Sequence, residues 1–532
     1  MLVQLSHIAE IERAHREILE HIRAHTDWFF AEDGGAPLAV GRDEFDFSIA
    51  HKRLIFSCWT ESGSRSWHIK AWSSTGDKLI LKASRRMGAE AATLELVPRA
   101  SAKAMVASIA AARQVRCERL AQLVAQTLVC DSPALDHRLK SAPPLPGAKI
   151  ESAVLSPGMR RDQPGRYARI VLRLSYGRVA VTSTVAVSDA RNVDSFFSSA
   201  LLWFSRLQSR PKRPCIEKLI LVVEHDVLEG ARQRHALLRR SLSRVIELFE
   251  INETWEAAAL VRSLERKDLW RKRLARFPPV SEAETSEQVR EIIGRAPHAV
   301  DVVGSRHGQT LRYHGLPFAR VRRVMEKDRV WFGIEGARRR LLDDYHEPEW
   351  TKLFRDLEVY RTESCRDRKH WLYRAAGEAW LESILRRDIS KLDPGLIVAP
   401  LHAQFRTSHG GASGPSGARP IDLLALRHDG RLVVIELKVN EDREHVFQGV
   451  DYWRRVEAHR RRGHISSAKL FDDRELSDES PLVYLVAPAL RFHPSFATLA
   501  RTIAPDIEIC RFDINEDWRA GVRVVRRERV NA

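Results

Sequence analysis

Ile421-Asp422-Leu423-Leu424-Ala425-Leu426, then Arg427-His428-Asp429-Gly430-Arg431, then Leu432-Val433-Val434-Ile435-Glu436-Leu437-Lys438-Val439 is the stretch that decides the fold. Two apolar runs flank Asp429-Gly430, a pair that supplies the positive φ angles of a tight turn, so the spacing predicts a β-hairpin. Three residues on it are ones a core would not choose. Asp422 opens the first strand, and Glu436 and Lys438 close the second. Side chains two apart on a strand point the same way, so Glu436 and Lys438 share a face. Burying such charges costs several kcal/mol, roughly, unless they are paired or bind a cation, so the cluster calls for chemistry.

Working outward, residues 370–387 read as a helix carrying Glu378 and Glu382 four apart on one face. Leu396 to Phe405 reads as a strand, and His409 to Pro420 as a Gly- and Ser-rich loop. After the hairpin a helix from about Arg443 to Arg462 carries Gln448, Tyr452 and Trp453. The strand Leu482 to Ala487 and a helix over Ser495 to Ile503 complete an αβββαβ order. Core packing is an equal alternative for Tyr452 and Trp453. Arg454, Arg455, Arg460, Arg461 and Arg462 extend the same helix, either as contacts to a phosphate backbone or as a solvated basic face.

Asp422, thirteen intervening residues and Glu436-x-Lys438 resemble the PD-(D/E)xK nuclease signature, and Gln448-x-x-x-Tyr452 resembles the QxxxY element of its RecB-like branch. With Glu378-x-x-Leu381-Glu382, the region from about 370 to 500 is similar to the C-terminal nuclease domain of the NucS endonucleases. The naming proline is displaced, since Pro420 precedes Ile421. The resemblance implies a restriction-endonuclease-like core that hydrolyses phosphodiester bonds of DNA. It implies Mg2+ (or Mn2+) held by Asp422, Glu436, the Leu437 backbone carbonyl and Glu378, with Glu382 an open substitute for Glu378. It further implies that Lys438 stabilises charge at phosphorus and that Gln448 and Tyr452 steady the site. A non-catalytic nucleic-acid-binding protein on a nuclease-like scaffold, and an RNA-cutting defence nuclease, remain as alternatives.

The rest of the chain reads as α/β and multidomain. With 532 residues it suggests three to four domains, and 44% apolar residues suffice for cores. The boundaries read as 1–100, a β-rich N-terminal module behind an opening helix; 101–252, an α/β domain; 253–366, a charged helix and linker with a small β-containing module; and 367–532, the nuclease-like domain. Strands are read at Glu44 to Trp59, Trp67 to Ser73, Lys78 to Ala83 and Thr93 to Val97, where the aromatics and Arg85 and Arg86 either stack on and clamp nucleic acid or are core and solvated residues, respectively. A helix reads from Ser101 to about Val129, the Pro-rich stretch Ala142 to Pro146 breaks the pattern, and Pro278-Pro279 marks a further boundary. Setting Gly177 against Gly430 aligns residues 168–252 with the hairpin region, Arg169, Ser183 and Val185 standing where Asp422, Glu436 and Lys438 stand. This suggests a degenerate second copy.

A net charge of +17 favours a polyanionic partner, nucleic acid first. Six scattered cysteines without C-x-x-C argue against a disulfide framework or zinc site and fit a cytoplasmic protein. No apolar run reaches membrane length, and no secretory signal pattern opens the chain. Paired cuts on a duplex by a one-site enzyme would require a homodimer, and the sequence leaves dimerisation open.

Overall fold

In a computed structural model of the chain, Asp429-Gly430 turns as the sequence predicts: Gly430 has φ 78°, and Leu423 pairs with Ile435 and Leu426 with Leu432 in an antiparallel hairpin. A side chain at Gly430 would meet the Glu475 carbonyl at 2.7 Å, so glycine is also required by the close approach of that loop. The structure describes residues 3–5, 7–32, 38–41, 44–50, 53–60, 63–85, 90–98, 102–130, 148–158, 165–174, 177–185, 193–209, 216–252, 254–271, 274, 276–277, 286–305, 308–324, 327–334, 340–405 and 421–531. Arg86, Ala142 to Pro146, Pro278-Pro279 and the loop His409 to Pro420 lie outside the described residues. The protein is a multidomain α/β molecule with four β-sheets, and its chain divides into two compact units, 1–265 and 266–532.

The first unit opens with helix α1 (Ile8–Arg23), whose Ile11, Ala14, Ile18 and Ile22 recur at helical spacing and are buried. It packs on an antiparallel sheet ordered Leu38–Gly41, Asp27–Glu32, Glu90–Pro98, Lys78–Arg85, Gly63–Thr75, Arg53–Thr60, Phe45–Ala50, with the short strand Val3–Gln4 also paired to Gly63–Thr75. Glu44 to Trp59, read as one strand, is a hairpin instead. Trp28, Phe56 and Trp67 fill the core, so these aromatics are packing residues and not stacking platforms.

Next come α2 (Ala102–Cys130), β1 (Lys149–Leu155), β2 (Tyr167–Leu174), β3 (Gly177–Thr184), α3 (Val193–Gln208), β4 (Ile216–Glu224), α4 (His225–His235), β5 (Ile246–Ile251) and β6 (Ala258–Val261). They form a six-stranded sheet running from β1 to β6 in chain order, with β3, β4 and β5 mutually parallel and the remaining pairs antiparallel. The helix expected over 253–276 does not form. Asn252 Oδ1 accepts from the backbone N–H groups of Glu256 (2.8 Å) and Ala257 (3.0 Å), turning the chain back so that β6 pairs with β5. Among the described residues of that run, Arg266–Trp270 makes a 3-10 turn.

The second unit begins with α5 (Glu287–Arg295), then β7 (Val300–Ser305), β8 (Gly308–Tyr313), β9 (Leu316–Val324), β10 (Lys327–Phe332), β11 (Arg340–Leu341) and α6 (Glu347–Tyr360). The five strands make an antiparallel sheet, one face of which packs Leu311, Phe318, Val330 and Phe332 against Val289 of α5 and Trp350 and Phe354 of α6. The helix expected over 370–387 is broken. Ala376 adopts a left-handed conformation (φ 44°), so a short turn at Trp371–Arg374 is followed by α7 (Gly377–Arg387).

After α7 come β12 (His402–Phe405), β13 (Ile421–Leu426), β14 (Leu432–Leu437), α8 (His445–Arg460), β15 (Leu482–Pro488), α9 (Phe496–Ala500), β16 (Ile509–Ile514) and β17 (Val524–Arg529). Strand is confined to β12 within the expected Leu396 to Phe405 run. Sheet order is β12-β13-β14-β15-β16-β17, with β14, β15 and β16 mutually parallel and the other pairs antiparallel. This order and pattern of pair directions match those of β1 to β6. Both faces of β14 are buried, which explains its apolar run Leu432 to Ile435. Val433, Ile435 and Leu437 pack with Trp380 and Leu381 of α7, and Leu432 and Val434 pack with Tyr452 and Val456 of α8.

Candidate functional site

Where the α8-facing sides of β13 and β14 would continue with apolar residues, they carry Asp422 and Glu436. Asp422 Oδ2 accepts the Leu437 backbone N–H at 2.9 Å, which fixes its carboxylate across the hairpin. Glu436 is 2% exposed and Lys438 8%, and Lys438 Nζ donates to Glu436 Oε1 at 2.6 Å. The same ammonium lies 3.9 Å from Glu378 Oε2 and 3.9 Å from Asp442 Oδ2. Glu436 Oε2 is buried without a hydrogen-bond partner. A native protein rarely leaves such an oxygen unsatisfied, because the cost is that of desolvating the group.

Electrostatics follow from that geometry. Burial lifts the Asp422 carboxyl to about 6, against the pull of Lys438 and the Leu437 N–H. Glu436 is pushed up to about 8 by burial and by the neighbouring Asp422 carboxylate. For Lys438, burial works downward, but Glu436, Glu378, Asp422 and Asp442 outweigh it and hold the ammonium charged. Burial raises the Tyr452 phenol, and Glu436 and Asp422 raise it further.

The two helix glutamates separate. Glu378 is 45% exposed at the site's edge by Lys438, whereas Glu382 is buried and lies 3.7 Å from the Arg312 guanidinium of β8. Gln448 is buried, and its Nε2 donates to Glu444 at 3.4 Å rather than to the carboxylates. Trp453 is core, its indole N–H donating to the Pro481 carbonyl at 2.8 Å. The arginine row is engaged within the protein. Arg454 and Arg455 pair with Asp451, Arg460 and Arg461 pair with Glu457, and Arg462 donates to the Trp270 carbonyl. Both acids are buried, so these arginines serve first to neutralise them.

Three residues of the site escaped the sequence reading. His445, on the first turn of α8, is buried, stacks on Phe492 and donates from Nε2 to the Glu436 carbonyl at 3.2 Å. Burial and Lys438 press its pKa down to about 3, so the ring is neutral. Asp442 and Arg312 complete the set, and no spacing motif in the sequence marks either one.

The donor chemistry fits a hard divalent cation in one respect: two carboxylates, one with an unsatisfied oxygen, stand together at the strand ends. Among the described residues no group of three or more His, Cys, Asp or Glu side chains is arranged around a common metal position. The four cysteines with described side chains, Cys58, Cys117, Cys365 and Cys510, are free thiols, and no helix among the described residues is long and apolar enough to cross a membrane. Comparison of the chain with protein-family models, with curated proteins and with solved structures gives no match.

Proposed function

We propose that residues 367–532 form a metal-dependent nuclease of the PD-(D/E)xK type that hydrolyses phosphodiester bonds of DNA. The observation that carries this reading is the pairing of the half-buried Asp422 with the buried Glu436, which has an unsatisfied oxygen, and with the Lys438 ammonium alongside. The succession α7, β12 to β14, α8, β15 supports it, because it is the αβββαβ order that the resemblance implies.

Asp422 and Glu436 would hold Mg2+ or Mn2+. When bound, such an ion polarises the phosphoryl oxygen and lowers the pKa of a coordinated water. The chain's own groups do the rest. The Leu437 N–H keeps Asp422 oriented, and the neutral His445 holds the Glu436 backbone in place. Lys438, held beside Glu436, would offer its ammonium to the charge that builds on phosphorus. Glu378, exposed beside it, accepts a hydrogen bond from water at the site edge. A scaffold reading draws on one specific observation, the direct 2.6 Å pair of Lys438 with Glu436, which neutralises the acid without any ion.

Residues 102–261 support a second proposal, a copy of the same fold without the acids. The two-residue link of β2 to β3 (Leu174 opposite Gly177) is shorter than the link of β13 to β14 (Leu426 opposite Leu432). With Ser183 matched to Glu436, the residue opposite is therefore Ala168, not Arg169, in the place of Asp422.

The test is incubation of the full chain with single-stranded, duplex and branched DNA and with RNA, in Mg2+, Mn2+ or EDTA. Wild type should cut in metal only, and Lys438→Ala should slow cutting by about 100-fold or more, the loss typical of removing one group that stabilises transition-state charge. Equal trace cleavage by wild type and Lys438→Ala sinks the enzyme reading. Cleavage of RNA alone moves the reading to the RNA-cutting alternative.

A further inference from the structure

The five-stranded sheet of the second unit has a second face, opposite its core, and that face is basic. Strand alternation and register set Arg312 of β8, Arg320 and Arg322 of β9 and Arg329 and Trp331 of β10 on it. Arg322 stands directly opposite Arg329, and both are exposed. Like charges in directly opposed positions destabilise a sheet, so the pairing works against the fold unless an anion lies across it. Neither side chain has an ion-pair or hydrogen-bond partner among the described residues. Trp331, opposite Arg320, adds a partly exposed indole between the cations.

One edge of this face runs into the candidate site. Asp301 of β7, opposite Arg312, lies 3.5 Å from Arg387, and Arg312 lies 3.7 Å from Glu382, so both strands meet α7. Glu378, one turn earlier on α7, borders Lys438. The acids of the region, Asp301 and Glu382, are thus occupied at the α7 edge, and Asp328 stands opposite Arg323 at the strand end. Arg322 and Arg329 are left to face solvent.

We propose that this face is a docking surface for the phosphodiester backbone of a nucleic-acid strand, Arg322 and Arg329 contacting consecutive phosphates and Trp331 stacking on a base, and that it leads the strand to the Glu378 edge of the site. The inference rests on the nuclease reading for where the strand goes, and on charge complementarity for what binds. Guanidinium groups on a sheet fit phosphates, and an indole beside them accepts any base, so binding is strong without reading sequence.

The experiment measures binding of labelled single-stranded and duplex DNA to the full chain in EDTA over a salt series, and cleavage separately in Mg2+. Each lost phosphate contact lowers the slope of log K against log salt by about 0.9 on duplex and about 0.7 on single strands. Arg322→Gln with Arg329→Gln should therefore lower it by about 1.8 or about 1.4, with the melting temperature held, and Lys at both positions should keep the wild-type slope. An unchanged slope in the double Gln variant overturns the inference, as does an equal loss in the double Lys variant or no binding by wild type. A lowered slope in the double Gln variant, together with a wild-type protein that never cleaves, supports the docking surface and fails the nuclease reading alone.

Discussion

His314 and Arg361 show what single side chains do where the β module meets the helix that carries Glu378. His314 is stacked on Trp380, its Nδ1 is buried without a partner, and burial with Arg387 and Arg361 nearby lowers its pKa to about 3. The folded state therefore keeps the ring neutral while the unfolded chain takes up a proton below about 6.5. Stability that is complete above pH 6.5 is lost as pH falls from there toward 3, by about 1.4 kcal/mol per unit once well below 6.5. His445 contributes in the same sense, whereas Asp422 and Glu436, whose carboxyls are raised to about 6 and about 8, contribute in the opposite sense. The test is therefore the difference: in urea titrations between pH 6 and 4 the stability of wild type should fall relative to that of His314→Phe with a slope near one proton. Arg361 is fully buried and donates to the carbonyls of Tyr313, His314, Leu372 and Ala375 at 2.7–2.8 Å. Lysine has no planar fork to reach four acceptors, so Arg361→Lys should cost about 3 kcal/mol in chemical denaturation.

At the scale of elements, the start of α7 decides where Glu378 sits. Ala376 takes the left-handed conformation that favours glycine, so Ala376→Gly should stabilise the fold slightly, by about 0.5 kcal/mol, after the entropy that glycine adds to the unfolded chain is subtracted. Thermal melting of the variant checks it, and a loss of stability would mean that the conformation carries no strain. The break before α7 was invisible in the sequence because Arg374, Ala375 and Ala376 are good helix formers and nothing marks a left-handed alanine. Legibility elsewhere followed local chemistry. The hairpin of β13 and β14 could be read because Asp429-Gly430 and two apolar runs agree, and α8 because its start follows a polar stretch. The expected helix over 253–276 failed because Asn252 makes a side-chain turn that charge composition does not reveal. Edge strands β1 and β17, rich in charge, look like loops until a neighbour pairs with them.

Across the whole molecule, two sheets share strand order and pair directions, yet where one carries Asp422 and Glu436 the other has Ala168 opposite Ser183. Cleavage should accordingly be insensitive to Ser183→Ala, within about twofold, and abolished by Asp422→Asn, as gel assays on the full chain would report. Asp422, Glu436 and Lys438 stood out because residue type and strand position disagree, which a sequence displays. Arg312 and His445 were not, since their roles depend on contacts 70 and 9 residues away, respectively, to Glu382 and Glu436. The reach of Arg361 has a practical corollary for anyone dissecting the chain. Its acceptors lie on both sides of residue 366, so a truncation placed there would strand the guanidinium on one fragment and leave the Leu372 and Ala375 carbonyls bare on the other. The smallest piece worth expressing therefore begins ahead of α5, near residue 266, and carries the β module with it.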